Sequence, residues 1–111
     1  MSKETSLPLT FKEKAIVFRG GGLGDFILTL PLLSHIQNSY REVIFLTKPS
    51  YFSLVNKRNG LPKLFDLDHG LSQISKKIKG ADIFTFWDDI EWKHELQNLG
   101  ANQIFILASR P

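Results

Sequence analysis

The chain has no cysteine, which excludes disulfide bridges, Cys-ligated metal centres and thiol nucleophiles. It has no long hydrophobic run either. The longest, Phe26 to Leu33, is interrupted by Thr29 and Pro31 and falls far short of the ~20 residues needed to cross a bilayer. Met1 to Phe11 mixes Lys3, Glu4 and Pro8 with single apolar residues and lacks the apolar stretch of a secretory signal. A cytoplasmic protein without an integral membrane segment is expected. Charge of one sign is also scarce: 14 basic against 11 acidic side chains leave a net charge of +3, too small and too scattered to argue for a nucleic-acid partner.

What is present is ordinary globular material. Over 111 residues the chain is 42% hydrophobic and 23% charged, which suits one hydrophobic core. Short β-branched and aromatic runs alternate with helix-like segments from Lys14 onward, the pattern of repeated βα units and a parallel sheet. Strands are expected at 15–18, 43–47, 64–67, 83–87 and 103–108. Helices are expected from Asp25 to about Asn38, at 50–55 behind Ser50 as N-cap, at 71–79, and from a cap at Asp88 or Asp89 to Leu99. Pro31 predicts a kink or restart in the first helix. The reading is an α/β domain with a Rossmann-like, open, mostly parallel sheet of about five strands over residues 14–111, preceded by an extension at 1–13. The free edge of the fifth strand, Gln103 to Leu107, is expected to promote self-association.

The densest signal is Arg19-Gly20-Gly21-Gly22-Leu23-Gly24-Asp25, between the first strand and the first helix. Glycines there let the backbone take φ > 0 and lie close to a neighbouring molecule, at the sheet edge where ligands of open parallel sheets bind. A turn that merely packs strand on helix is the alternative. Asp25 is the loop's one carboxylate. It reads either as a helix cap, in which case Asn would replace it at little cost in stability, or as a base that takes the proton of a sugar hydroxyl attacking an anomeric carbon. Phosphate-binding patterns fail here. A P-loop needs Gly-Lys-Ser/Thr, whereas Gly24 is followed by Asp25 and Phe26; G-x-G-x-x-G fits from neither Gly20 nor Gly22; and the second strand ends in Thr47-Lys48 where a ribose-binding acid belongs.

Trp87, Asp88 and Asp89 fall at the end of the fourth strand, on the same sheet edge as the glycine loop. The indole could stack on a sugar while the acids bind hydroxyls; a core-edge tryptophan beside a helix cap is the plainer reading. Glu91 and His94 have helical ligand spacing without the second copy that a di-metal bundle needs, so no metal is expected. His35 and His69 stand alone.

The run Gly21-Gly22-Leu23-Gly24-Asp25-Phe26-Ile27-Leu28-Thr29-Leu30-Pro31-Leu32-Leu33 resembles the opening of glycosyltransferase family 9, the ADP-heptose:lipopolysaccharide heptosyltransferases. Members begin with a strand, a small-residue loop ending in Gly-Asp and an apolar helix containing Thr and Pro; Arg19 matches a position that is often basic. The resemblance is dense over 16–33, in register through 43–49, and beyond that rests on element order. It implies a GT-B pair of Rossmann-like domains, the first for the acceptor and the second for the nucleotide sugar. It further implies Asp25 as catalytic base, a cleft shaped by Gly21, Gly22, Leu23 and Gly24, an ADP-heptose-like donor, no metal or other cofactor, and a saccharide or lipid-linked saccharide acceptor of lipopolysaccharide biosynthesis. Nothing in 111 residues resembles the donor-binding half, so a truncated domain, inactive alone, is expected. A non-catalytic binding module and a nucleotide-binding Rossmann domain of another class are the alternatives.

Overall fold

The apolar runs become strands of one sheet in a computed structural model that describes residues 12–57 and 60–107. The strands are β1 (Lys12–Phe18), β2 (Tyr40–Thr47), β3 (Lys63–Asp66), β4 (Asp82–Thr85) and β5 (Gln103–Ile106). Their order is β3-β2-β1-β4-β5 and every neighbouring pair is parallel. Helices α1 (Leu23–Gln37), α2 (Gly70–Ile74) and α3 (Ile90–Asn98) make crossovers, with 3-10 turns at Pro49–Leu54 and Ser75–Lys77. This is a Rossmann-like α/β sheet.

Its centre explains the continuous apolar reading of the first two runs. Ile16, Phe18, Ile44 and Leu46 face one side, packing with Ile74, Ile78 and Leu96. Ala15, Val17, Val43 and Phe45 face the other, packing with Phe26, Leu33 and Ile36 of α1. A strand covered on both faces has no polar side to present. The outward side of α1 is also apolar, with Leu23, Ile27 and Leu28 exposed. No helix among the described residues is long and apolar enough to cross a membrane.

Several boundaries differ from the sequence reading, for local reasons. β1 reaches back to Lys12, paired with Tyr40, so part of the expected extension belongs to the sheet; residues 1–11 lie outside the described residues, as does Ala108 of the expected fifth strand. Helix α1 runs through Pro31 as one element rather than restarting. The hydroxyl of Thr29, two residues before the proline, donates to the Asp25 carbonyl at 2.9 Å. Ser50 is not an N-cap: Pro49 opens the 3-10 turn behind Lys48, a position that suits its fixed φ and missing N–H. The expected helix at 71–79 is only α2 followed by a 3-10 turn. Asp89 is the cap of α3, accepting from the Glu91 and Trp92 amides at 2.9 and 3.2 Å.

The two rims of the sheet carry opposite charge. At the strand starts stand Lys12, Lys14, Arg41 and Lys63, joined by Lys77 and Lys79, against Glu13, Glu42 and Asp82. At the strand ends stand Asp25, Asp66, Asp68, Asp88 and Asp89, against Arg19 and Lys48. Burial alone would raise the Glu42 pKa, but a 3.2 Å hydrogen bond from Lys77, with the charges of Lys77, Lys63 and Lys14, holds it below the usual carboxylate range.

Asp82, 4% exposed, is the buried anchor of the basic rim. It accepts from the Tyr40 hydroxyl at 2.7 Å and from the Asn102 side-chain amide at 2.8 Å, tying β2 and the α3–β5 turn to β4 across β1. Burial, then the hydrogen bond and negative charge of Asp82, hold the Tyr40 phenol well above its ordinary value of 10.0. Tyr40→Phe should therefore lower unfolding free energy by about 1.5–3 kcal/mol at neutral pH, the worth of a hydrogen bond to a charged group, measured by urea denaturation. A phenol pKa raised in the folded state stabilises fully below the unfolded value and is lost as pH rises through the folded one. The gap between wild type and Tyr40→Phe should accordingly narrow above about pH 10.

Candidate functional site

In the order β3-β2-β1-β4-β5 the chain winds outward from β1 to β3, then returns to the other side of β1 for β4. The loops that leave β1 and β4 diverge, and the crevice between them is where ligands bind in open parallel sheets. One wall is the run from Arg19 to Asp25. The other is Phe86-Trp87-Asp88-Asp89.

Arg19 joins the two walls. Its amide donates to the Leu46 carbonyl at 3.0 Å, extending the ladder and fixing where the side chain starts. The side chain is 5% exposed, and burying a guanidinium is unfavourable unless it is paired. Three contacts, to Phe86 and Asp25, compensate it. Its carbon centre lies 4.0 Å from the Phe86 ring centroid, Nη2 is 3.3 Å from Asp25 Oδ1, and Nε donates to the Asp25 carbonyl at 3.4 Å.

Asp25 is thereby placed in the first turn of α1, but not as its cap. The N-cap is Gly22, which makes no side-chain cap bond. The Asp25 carboxylate instead faces Arg19 and remains 42% exposed, open to a ligand in the crevice. Its negative charge still complements the helix dipole.

The four glycines of the loop divide into two kinds. Gly21 has φ +88°, and a Cβ there would lie 2.6 Å from Asp25 Oδ2. A Cβ on Gly20 would lie 3.2 Å from the Leu67 side chain and 3.6 Å from Trp87. Gly20 and Gly21 thus have reasons internal to the chain. Gly22 and Gly24 do not: a Cβ on either would meet nothing within 4 Å. With Leu23 exposed between them, they present bare backbone to open space.

On the opposite wall Trp87 is 40% exposed. One side of the indole packs on Phe18 and Trp92, at centroid distances of 6.4 and 5.5 Å, so it is a core-edge ring with part of its surface open to solvent. Asp88 is exposed beside it. The crevice thus brings together Asp25, Gly21 to Gly24 and Trp87 with Asp88, all expected from sequence, and keeps Asp89 for capping. The sequence reading missed the burial of Arg19 and the role of Phe86 beneath it. The signal was an arginine at the end of a buried strand, whose charge needs a partner close by, and Asp25 is six positions on.

The fold and this crevice define a doubly wound α/β domain with an exposed, arginine-held carboxylate at its topological switch point. Compared with protein-family models, curated proteins and solved structures, the chain matches none of them.

The glycine geometry has opposite consequences at two positions. Gly21→Ala should lower unfolding free energy by more than about 1 kcal/mol, since φ and contact both oppose a side chain. Gly24→Ala, second in α1 and facing open space, should raise it by ~0.5–1 kcal/mol. Urea unfolding of the two variants checks both signs.

Proposed function

We propose that this chain is the acceptor-side domain of a heptosyltransferase-like glycosyltransferase, with Asp25 as the base. The observation that supports it most is the placement of Asp25: an accessible carboxylate at the switch point, held by Arg19 beside two glycines whose faces are open. The same geometry disfavours a nucleotide phosphate in this loop. A phosphate at a helix N-terminus draws on unopposed positive potential, and here the Asp25 carboxylate already occupies the first turn. A hydroxyl suits the position better, because it can give its proton to the carboxylate.

In the proposed reaction the acceptor hydroxyl oxygen bonds to the anomeric carbon of the nucleotide sugar. The bond from that carbon to the diphosphate oxygen breaks, the proton passes to Asp25, and the configuration inverts. A second domain of the GT-B pair would hold the donor. Trp87 would stack on an acceptor sugar, with Asp88 and the amides of Gly22 to Gly24 binding its hydroxyls. The exposed Leu23, Ile27 and Leu28 run from the crevice along α1 and suit a lipid-linked acceptor. Self-association through the outer edge of β5 is proposed alongside and does not depend on transfer.

Two measurements test the reading. In a two-domain transferase carrying this domain, Asp25→Asn should lower transfer by roughly 10²–10⁴-fold with the acceptor KM nearly unchanged. A rate within about threefold of wild type overturns the assignment of the base. Because Asp25 pairs with a buried guanidinium rather than capping the helix, Asn should also cost about 1–2 kcal/mol of stability. That is less than the ~3–5 kcal/mol of a fully buried pair, since the carboxylate half-faces water. Rates are therefore compared well below the unfolding transition. In the 111-residue chain itself, lipopolysaccharide core oligosaccharide should change the tryptophan fluorescence, and Trp87→Phe should abolish the change.

A further inference from the structure

The outer side of β5 has no strand against it among the described residues, and the strand's own sequence carries no device that defends that edge. Exposed edges are usually blunted by charge, proline or a bulge. Gln103-Ile104-Phe105-Ile106-Leu107 has no charged residue and no proline. The ladder to β4 continues to the Leu107 amide, which donates to the Thr85 carbonyl at 2.8 Å, so Phe105 is the midpoint of the paired stretch. Phe105 is 37% exposed. Its ring ends a row that crosses the sheet on the α1 side: Tyr40 meets Phe84 edge-on at 6.1 Å, and Phe84 stacks on Phe105 at 4.9 Å. A cavity of about 280 Å³ lies along this row, walled by Leu32 and Ile36 of α1.

We propose that this edge pairs with the β5 edge of a second copy of the chain, antiparallel about a two-fold axis at Phe105, to form one continuous sheet. It deepens the self-association reading and stands apart from catalysis by Asp25. The charge distribution selects this occupant and this direction. The strand-start rim is basic and the strand-end rim acidic, so antiparallel pairing sets the basic rim of each copy beside the acidic rim of the other, twice by symmetry. Parallel pairing would set like rims together. Toward the two ends of the paired strands the charges concerned are Lys79, which lies against Gly100 just before β5, and the exposed Asp88 in the loop after β4. The pairing also satisfies the outer backbone groups of β5 and sets Phe105 against its own copy on the same face, lengthening the aromatic row. A two-fold contact of one patch with itself closes at the dimer.

The absence of cysteine makes the geometry directly testable in the full chain. Directly opposed residues of antiparallel strands have Cα atoms ~4.5–5.5 Å apart, within the reach of a disulfide. Phe105→Cys should therefore give a covalent dimer under mild oxidation, whereas Lys79→Cys, away from the axis, should not. Sedimentation of the wild-type chain should show a monomer–dimer equilibrium that weakens several-fold as salt rises from ~20 to ~500 mM, because the rims are screened. Phe105→Lys, which opposes two cations at the axis, should sediment as a monomer with an unchanged far-ultraviolet dichroism spectrum. Should that variant unfold, the Phe105→Cys cross-link and the salt series decide without it. A wild-type monomer at all concentrations up to ~1 mM overturns self-association altogether. A dimer that persists in folded Phe105→Lys, gives no Phe105→Cys cross-link or strengthens with salt overturns this arrangement alone, and so do open-ended aggregates. None of these results bears on the proposed base.

Discussion

The crevice depends on one buried cation. Arg19 leaves the end of β1 and is almost fully removed from water, so its charge has to be met inside the protein. Phe86 meets it from the loop after β4, and Asp25 meets it from the first turn of α1. Those contacts hold together the three segments that form the mouth of the switch point. They also constrain the loop between them. For Asp25 to reach back to Arg19, the chain must turn sharply at Gly21, where φ is +88° and a side chain would collide with the carboxylate. The carboxylate that compensates the arginine is the one left accessible in the crevice, so the stability of the mouth and the chemistry proposed for it share one interaction.

The sheet has two rims with different polar devices. At the strand ends the ion pair is half open to solvent through Asp25, which suits the role proposed for it. At the strand starts Asp82 is enclosed by Tyr40 and Asn102, which suits a brace. A carboxylate with hydrogen-bond donors on both oxygens and little solvent access is a structural element. Parallel strands produce this segregation naturally, because all their starts share one rim and all their ends the other. A modest excess of lysine at the starts and aspartate at the ends then becomes a polarity of the whole molecule, invisible in a net charge of +3.

Much of this organisation could be read from the sequence. Runs such as Ala15 to Phe18 and Val43 to Leu46 are apolar at every position, and only burial on both faces of a sheet explains that. The glycine loop, Asp25 and Trp87 were assigned to one edge because each follows a strand, and parallel strands end together. Helix ends were read less well. Ser50 has the chemistry of a cap, but Pro49 beside it takes the first turn. The segment at 71–79 has helical spacing, yet its α-helix stops at Ile74 and tightens into a 3-10 turn. Asp25 has the chemistry of a cap as well, and its carboxylate turns to a charge that becomes its neighbour only when β1 and α1 are folded together.

What the sequence determined by itself was the five strands and their places in the chain, the parallel sense of the sheet and the loop that carries the carboxylate. Those follow from local periodicity and from the conformational freedom of glycine, which act over a few residues. Only the tertiary structure decided what each polar group does. Whether Asp25 caps or pairs, whether Asp82 is solvated or enclosed, and which glycines face the protein rather than open space depend on contacts made only when the segments fold against one another. Tyr40 and Asp82 are 42 residues apart in the chain. Burial of charge is a property of three-dimensional surroundings, and it sets the cost that chooses each partner.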